Sequence, residues 1–306
     1  MNTNTDSTVF IEPETRDSRN KVILKWFKLL LRSRTGTVGL LIVTSVVLIA
    51  IFAPLLAPHD PVKMNPLKAL QPPAWIGNGT VNHFLGTDSL GRDILSRIIY
   101  GTRISLLVGA CSVVVAGIIG MFIGIVSGYY GGLIDNIFMR IVDTFLAVPS
   151  ILLILVMLTV FDPGILTLIL VIGVTNWITY ARVIRGEVLS LKQLEFVKAA
   201  KTIGTSKTTV MIRHLLPNVI SSFIVISTLS VATAIILEAS LSFLGLGIQP
   251  PTVSWGGMLS EGRDYLATNW WIATFPGIAI TVTVLGIIFL GDWLRDVLDP
   301  KLQGRS

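Results

Sequence analysis

Six long apolar runs dictate what this chain can fold into. They lie at about Gly36 to Ala57, Ile104 to Gly128, Ile134 to Phe161, Ile165 to Ala181, Asn218 to Leu246 and Trp271 to Trp293. A helix needs roughly 20 apolar residues to cross the hydrocarbon of a bilayer. Within lipid every backbone polar group must be satisfied internally, and a helix does this within its own segment. Pro149 marks a kink in the third run, and Pro276 sits near the start of the sixth. Only 14% of the 306 residues are charged, where a soluble domain carries about 25%. The fold class expected is therefore all-α, a polytopic membrane protein with six transmembrane helices.

Lys and Arg in the flanking segments set the orientation. Seven lie in residues 1–35, seven in 182–217 and three in 295–306, against five in 58–103 and one in 248–270. This asymmetry places both termini in the cytoplasm. The segments expected are a cytoplasmic N-terminal segment 1–35, a first span 36–57 and an extracytoplasmic loop 58–103. A core of five spans over 104–294 follows, containing the cytoplasmic loop 182–217, and then a cytoplasmic tail 295–306. Trp255, Trp270 and Trp271 are expected to form an aromatic belt on the outer side. Residues 1–20 are polar and expected to be disordered, and the long hydrophilic lead does not resemble a signal peptide. Residues 21–34 put Lys21, Lys25, Lys28 and Arg32 on one helical face, as in a basic amphipathic helix on anionic lipid. The net charge of +6 reads as topology, not as nucleic-acid binding. Cys111 is the lone cysteine, and His59, His83 and His214 are scattered along the chain. No disulfide and no metal centre is expected from them.

The second run carries Gly117, Gly120, Gly124 and Gly128, of which the last three form a repeated small-xxx-small pattern that lets helix backbones approach closely. Charges within the runs are few. Arg140 and Asp143 are three apart and are expected to neutralise each other. Glu238 has no local partner in the sequence. It is expected either to bond across helices or to line a translocation path.

Between the fourth and fifth runs lies a polar, basic island, Glu195 to Asn218. Phe196, Ala199, Ala200 and Ile203 fall on one helical face, with Lys198 and Lys201 on the other side. Glu195 precedes Lys198 by one turn, an orientation that suits a helix. Gly204 breaks this helix, a second is expected from Ser206 to Leu215, and Pro217 opens a new segment. The island resembles the EAA loop of ABC importer permeases, which reads Glu-Ala-Ala, three residues, Gly, nine residues, Ile, one residue, Leu-Pro. Here Lys198-Ala199-Ala200, Gly204 and Leu216-Pro217 hold the spacing, while Lys198 replaces the Glu and His214 replaces the Ile. The resemblance implies that this helix docks into a cleft of an ATPase subunit.

Three further strings carry the same resemblance. One is Leu85-Gly86-Thr87-Asp88, Gly91-Arg92-Asp93, Ser96-Arg97, Tyr100-Gly101 and Arg103-Ile104-Ser105-Leu106. Another runs from Leu241 to Gly247, then Gln249-Pro250-Pro251 and Trp255-Gly256. The last is Gly291-Asp292, Leu294-Arg295-Asp296 and Leu298-Asp299-Pro300-Lys301. Together they are similar to the dipeptide, oligopeptide and nickel branch of ABC importer permeases, closest to its C-type subunit. That resemblance implies alternating-access import of peptides, with nickel chelates or glutathione as other cargoes. It implies a homologous second permease subunit, two ABC ATPase subunits and an extracytoplasmic binding protein as partners, in a cytoplasmic membrane. ATP and magnesium would bind the ATPase subunits, and no cofactor is expected here. Gly204 to Thr209 fails as a phosphate loop, because Lys201 stands where the first glycine belongs and Ser206 precedes Lys207. No catalytic group is expected. The competing class is an ion-coupled carrier working alone, which would carry inverted repeats with broken helices; a membrane scaffold is a third.

Overall fold

The computed structural model describes Leu30 and residues 33–298. The lead expected to be disordered, the amphipathic helix expected over 21–34 and the string from Asp299 onward lie outside the described residues, Leu30, Ser33 and Arg34 apart. The described chain is a helical bundle in which the only β pairing is an isolated bridge between Thr87 and Asp93. Its helices are α1 (Arg34–Ile51), α2 (Ile94–Tyr130), α3 (Gly132–Leu146), α4 (Ser150–Val160) and α5 (Ile165–Leu191). They continue with α6 (Glu195–Thr202), α7 (Lys207–Phe243), α8 (Trp255–Gly262) and α9 (Trp271–Leu298). Five of them are each long and apolar enough to cross a membrane. The third apolar run is the exception: α3 and α4 meet at 86° across the break at Pro149, and count as a sixth span only when taken as one. Proline at the start of α4 has no N–H to donate back, so the chain turns there at little cost.

Several helices outrun the apolar runs that announced them. α2 begins at Ile94 because Asp93 caps it, its carboxylate accepting from Ser96 N at 2.8 Å. The polar first turns are buried because their groups are paired, which sequence hydropathy does not register. The fifth run is likewise one continuous helix from Lys207 to Phe243. Pro217 sits in the first turn of the α-helical stretch that starts at Leu216, as expected, but the rod runs on through it. A π-helical stretch, Val210–Leu215, precedes it and shifts the hydrogen-bond register, with Leu216 N donating to Met211 O. A proline just past such a turn is absorbed without breaking the rod.

Close packing follows the glycines. α2 lies along α5, and α9 along α1, with α7 against both α2 and α9. A Cβ on Gly124 would stand 2.8 Å from Ile184 Cβ, and one on Gly128 the same distance from Val188 Cβ. The expected small-residue face of the second run is thus the α2–α5 seam. Gly39 plays the same part in the α1–α9 seam, against the backbone at Leu290.

Two expectations are corrected. Trp255 and Trp271 form no belt: they are 1% and 6% exposed, and their indole N–H groups donate to Ile98 O at 3.0 Å and Thr87 O at 3.3 Å. Only Trp270 of the three stays on the surface. An indole with an internal acceptor gains more from the core than from an interface. Arg140 and Asp143 are both exposed and make no ion pair with each other; an exposed pair gains too little to order two side chains. The acid of α3 that is paired is Asp135. It accepts from Arg185 Nε at 2.5 Å and Nη2 at 2.6 Å and from the Ser127 hydroxyl, stitching α3 to α5 and α2.

Candidate functional site

The α6 hairpin sits at the Tyr130 end of α2. α6 ends on a Schellman motif: Thr205 N donates to Ala200 O and Gly204 N to Lys201 O, both at 3.1 Å. This closure requires Gly204 at φ +84°, where a residue with a Cβ is strained. Ser206 then caps the second arm through Thr209 N at 3.2 Å. Lys201 lies 4.9 Å from the Tyr129 ring centroid, and Lys207 5.5 Å from that of Tyr130, so both arms rest on the end of α2.

The buried side of α6 is carried by Val197 and Ala200, which join Ile125, Ile184, Val188 and Leu215 in one cluster. Ala200 therefore does not belong to the free face that the sequence suggested. Val197, left out of that reading, points into the core, and Ala200 lies between it and Phe196 around the helix. The outward apolar face is Phe196 (43% exposed), Ala199 and Ile203 (83% exposed). Glu195 and Lys198 are exposed beside it. His214 reaches back to the hairpin, its ring 6.3 Å from that of Phe196. Leu216 is partly buried and Pro217 exposed at the start of the long arm of α7.

At the other end of α7 lies Glu238, wholly buried. One carboxylate oxygen accepts from Ser242 Oγ at 2.8 Å, the other from Ser105 Oγ on α2 at 3.2 Å. The across-helix bond is one of the two expected alternatives. The local partner one turn away, Ser242, was missed. Each hydroxyl in turn accepts a backbone N–H, Ser242 from Ile248 and Ser105 from Trp255, both at 3.4 Å. A single carboxylate thus knots α2, α7 and α8.

The string from Thr87 to Arg97 forms a second buried polar centre. Arg92 Nε donates to Asp88 at 2.7 Å, and its Nη2 to Glu261 of α8 at 2.7 Å. Arg97 Nη1 donates to Glu261 at 2.6 Å and also to Asp88. Two cations and two anions close on each other, which is what a buried charge needs to persist. Sequence reading found three of these residues as a family string but not Glu261, far off in the chain and exposed by composition.

Residues 120–304 match the family model described as "Binding-protein-dependent transport system inner membrane component". Residues 25–73 match the N-terminal TM domain of oligopeptide transport permease C. The chain belongs to this family of ABC transporter permeases. The permease is 43% identical over 277 residues to the dipeptide transport system permease protein DppC of Alkalihalophilus pseudofirmus, covering 90% of this chain and 89% of the relative. It is 41% identical over 286 residues to the oligopeptide transport system permease protein OppC of Bacillus subtilis, 92% of each. It is also 41% identical over 274 residues to the glutathione transport system permease protein GsiD of Escherichia coli, 89% of this chain and 88% of the relative.

Between α2, α5 and α7 the permease holds a cavity of about 430 Å³, with Ser112, Asn176, Thr179, Ser230 and Thr233 among its walls. Ser112 Oγ has no hydrogen-bond partner among the described residues. Hydroxyls and a carboxamide on three different helices gave no sequence motif, since only the fold brings them together.

Proposed function

We propose that this permease is one half of the membrane channel of a peptide importer in the cytoplasmic membrane. A binding protein outside delivers the peptide, a homologous permease subunit supplies the other half of the path, and two ABC ATPases drive the cycle. ATP and magnesium are handled by those ATPases, while this chain contributes transport geometry and no catalytic group. Both termini and the α6 hairpin face the cytoplasm, following the Lys and Arg asymmetry of the loops.

One observation carries the mechanism. An exposed apolar face, Phe196, Ala199 and Ile203, stands on a hairpin that continues without a break into the 37-residue helix Lys207–Phe243. At about 1.5 Å per residue that helix is roughly 55 Å long. Pushing on α6 therefore displaces a rigid rod whose far end carries the Glu238 knot. The ATPase would grip α6 by this face, and the rod would move α7 against α2 and α5 around the cavity lined by Ser112, Asn176 and Thr233. Uncharged hydroxyls and an amide suit the amides of a peptide backbone and leave side-chain selection to the binding protein. Glu238, enclosed here, would line the path only in a conformation that separates Ser105 from α7.

Peptides are the cargo favoured by the names of the dipeptide and oligopeptide relatives; glutathione, itself a small peptide, and nickel chelates are the alternatives. The test is uptake of labelled dipeptides and longer peptides in a deletion strain, with glutathione and nickel alongside. Loss of peptide uptake, restored by the wild-type chain, is expected. Unchanged peptide uptake with loss of nickel uptake would reassign the cargo. Transport that survives loss of ATP hydrolysis would favour an ion-coupled carrier.

A further inference from the structure

His59 and His83, far apart in sequence, meet over one carboxylate. His83 Nδ1 lies 3.0 Å from Asp93 Oδ1, and His59 Nδ1 lies 3.8 Å from Asp93 Oδ2. One ligand atom from each of the three falls within 4.8 Å of the others, and the two imidazole centroids are 4.7 Å apart. We propose that His59, His83 and Asp93 bind a divalent transition-metal ion of the zinc class, at the end of the bundle away from α6. This site is independent of the transport reading.

The geometry suits such an ion. Zinc takes imidazole nitrogen and carboxylate oxygen at about 2.0–2.2 Å. Tetrahedral ligands at that length stand roughly 3.3–3.6 Å apart; the His83–Asp93 pair at 3.0 Å is already that close, and the wider spacing, within 4.8 Å, closes by a small swing of the 39%-exposed His59 side chain. Two imidazoles and one carboxylate select zinc, nickel or copper over magnesium and calcium, which prefer all-oxygen shells.

The site is also held in place by its surroundings. Asp93 Oδ2 accepts from Ser96 N at 2.8 Å and Ser96 Oγ at 2.7 Å, which fixes the carboxylate plane. Ser96 Oγ accepts from the backbone N–H of His59 at 3.0 Å, which fixes the segment carrying the second imidazole. Outer bonds of this kind orient ligands before the metal arrives. His83 and Asp93 are buried, while the His59 side chain is 39% exposed and lines a cavity of about 790 Å³ with Asp60, Tyr100 and Arg103. That cavity gives the ion an entry route and a water for the fourth position.

A simpler account exists for one of the three. His83 Nδ1–H donates to Asp93, and Lys68 Nζ stands 3.5 Å from its Nε2. It explains His83 but not why His59 faces the same carboxylate. With a metal on Nδ1 of His83, Nε2 carries the proton and the flexible Lys68 side chain swings away. A bound ion would pin the segment after α1 and the 83 turn to the start of α2.

The test uses the full-length chain, purified in detergent without a histidine tag, stripped with EDTA, incubated with Zn²⁺ and desalted. Wild type is expected to retain one zinc per chain, His59→Ala none, and His214→Ala the wild-type amount. His59→Ala is the decisive variant, because it leaves the His83–Asp93 bond and the helix cap intact. Co²⁺ in place of zinc should give the visible bands of a tetrahedral ion in wild type and not in His59→Ala. Retention of no zinc by folded wild-type protein, or of equal zinc by His59→Ala, overturns the proposal.

Discussion

Glu238 on α7 and Ser105 on α2 share a hydrogen bond of 3.2 Å inside a fully buried site. Ser105 passes the contact on to the backbone of Trp255, and Ser242 to that of Ile248. The carboxylate is therefore the fixed point on which α2, α7 and the entry to α8 agree. Glu238→Leu removes an acceptor from two buried hydroxyls, and each hydroxyl left unmet costs about 1–3 kcal/mol. Lower protein level and a lower melting temperature in detergent are expected. Glu238→Gln keeps the shape and an acceptor oxygen, and should recover most of the level. If both variants accumulate as wild type but fail in uptake, the residue serves the path and not the knot.

The α2–α5 seam makes a sharp comparison between two glycines. Gly124→Leu places its first carbon 2.8 Å from Ile184 Cβ, whereas a Cβ on Gly186 meets nothing within 4 Å. Overpacking costs about 1–3 kcal/mol, and more when two helix backbones must separate. Gly124→Leu should lower the level of folded chain in the membrane severalfold, and Gly186→Leu should not. Immunoblots of membrane fractions with a detergent melting curve decide it.

Glu261 neutralises Arg92 and Arg97 across from Asp88. Its removal leaves two buried guanidiniums with one carboxylate, and breaking such a group costs about 3–5 kcal/mol when fully enclosed. Glu261 is partly exposed, so the lower end of that range is expected for Glu261→Ala. Asp264→Ala, three residues on, breaks only an exposed pair with Arg263, worth about 0–1 kcal/mol. Thermal unfolding of the two variants should differ accordingly, with limited proteolysis of the 58–93 loop faster only in Glu261→Ala.

What the residues announced and what they hid divides along physical lines. Apolar length and glycine spacing are local, so the helical membrane class and the α2 seam were legible. So was the α6 hairpin, because Gly204 and the helical period lie within a few residues of each other. The ends of helices were misjudged wherever polar side chains are paired internally, as at Ser96 and Arg97, since hydropathy counts them as exposed. Ala200 was set on the wrong side because four apolar positions around a short helix leave its buried direction undetermined until Val197 finds its cluster. The Glu261 pairing, the hydroxyl-lined cavity and the meeting of His59 with His83 depend on contacts between distant segments and left no pattern in the chain.

On the proposed mechanism, Phe196, Ala199 and Ile203 form the face an ATPase grips. The most direct measurement is retention of the ATPase on purification of Ala199→Trp permease, read beside uptake. Ala199 is exposed, so the variant should insert and accumulate as wild type; Ala200→Trp cannot serve, because that side chain faces its own core. Loss of the ATPase and of uptake with an unchanged membrane level is the predicted result. An Ala199→Trp permease that keeps the ATPase bound and transports at the wild-type rate would contradict the account.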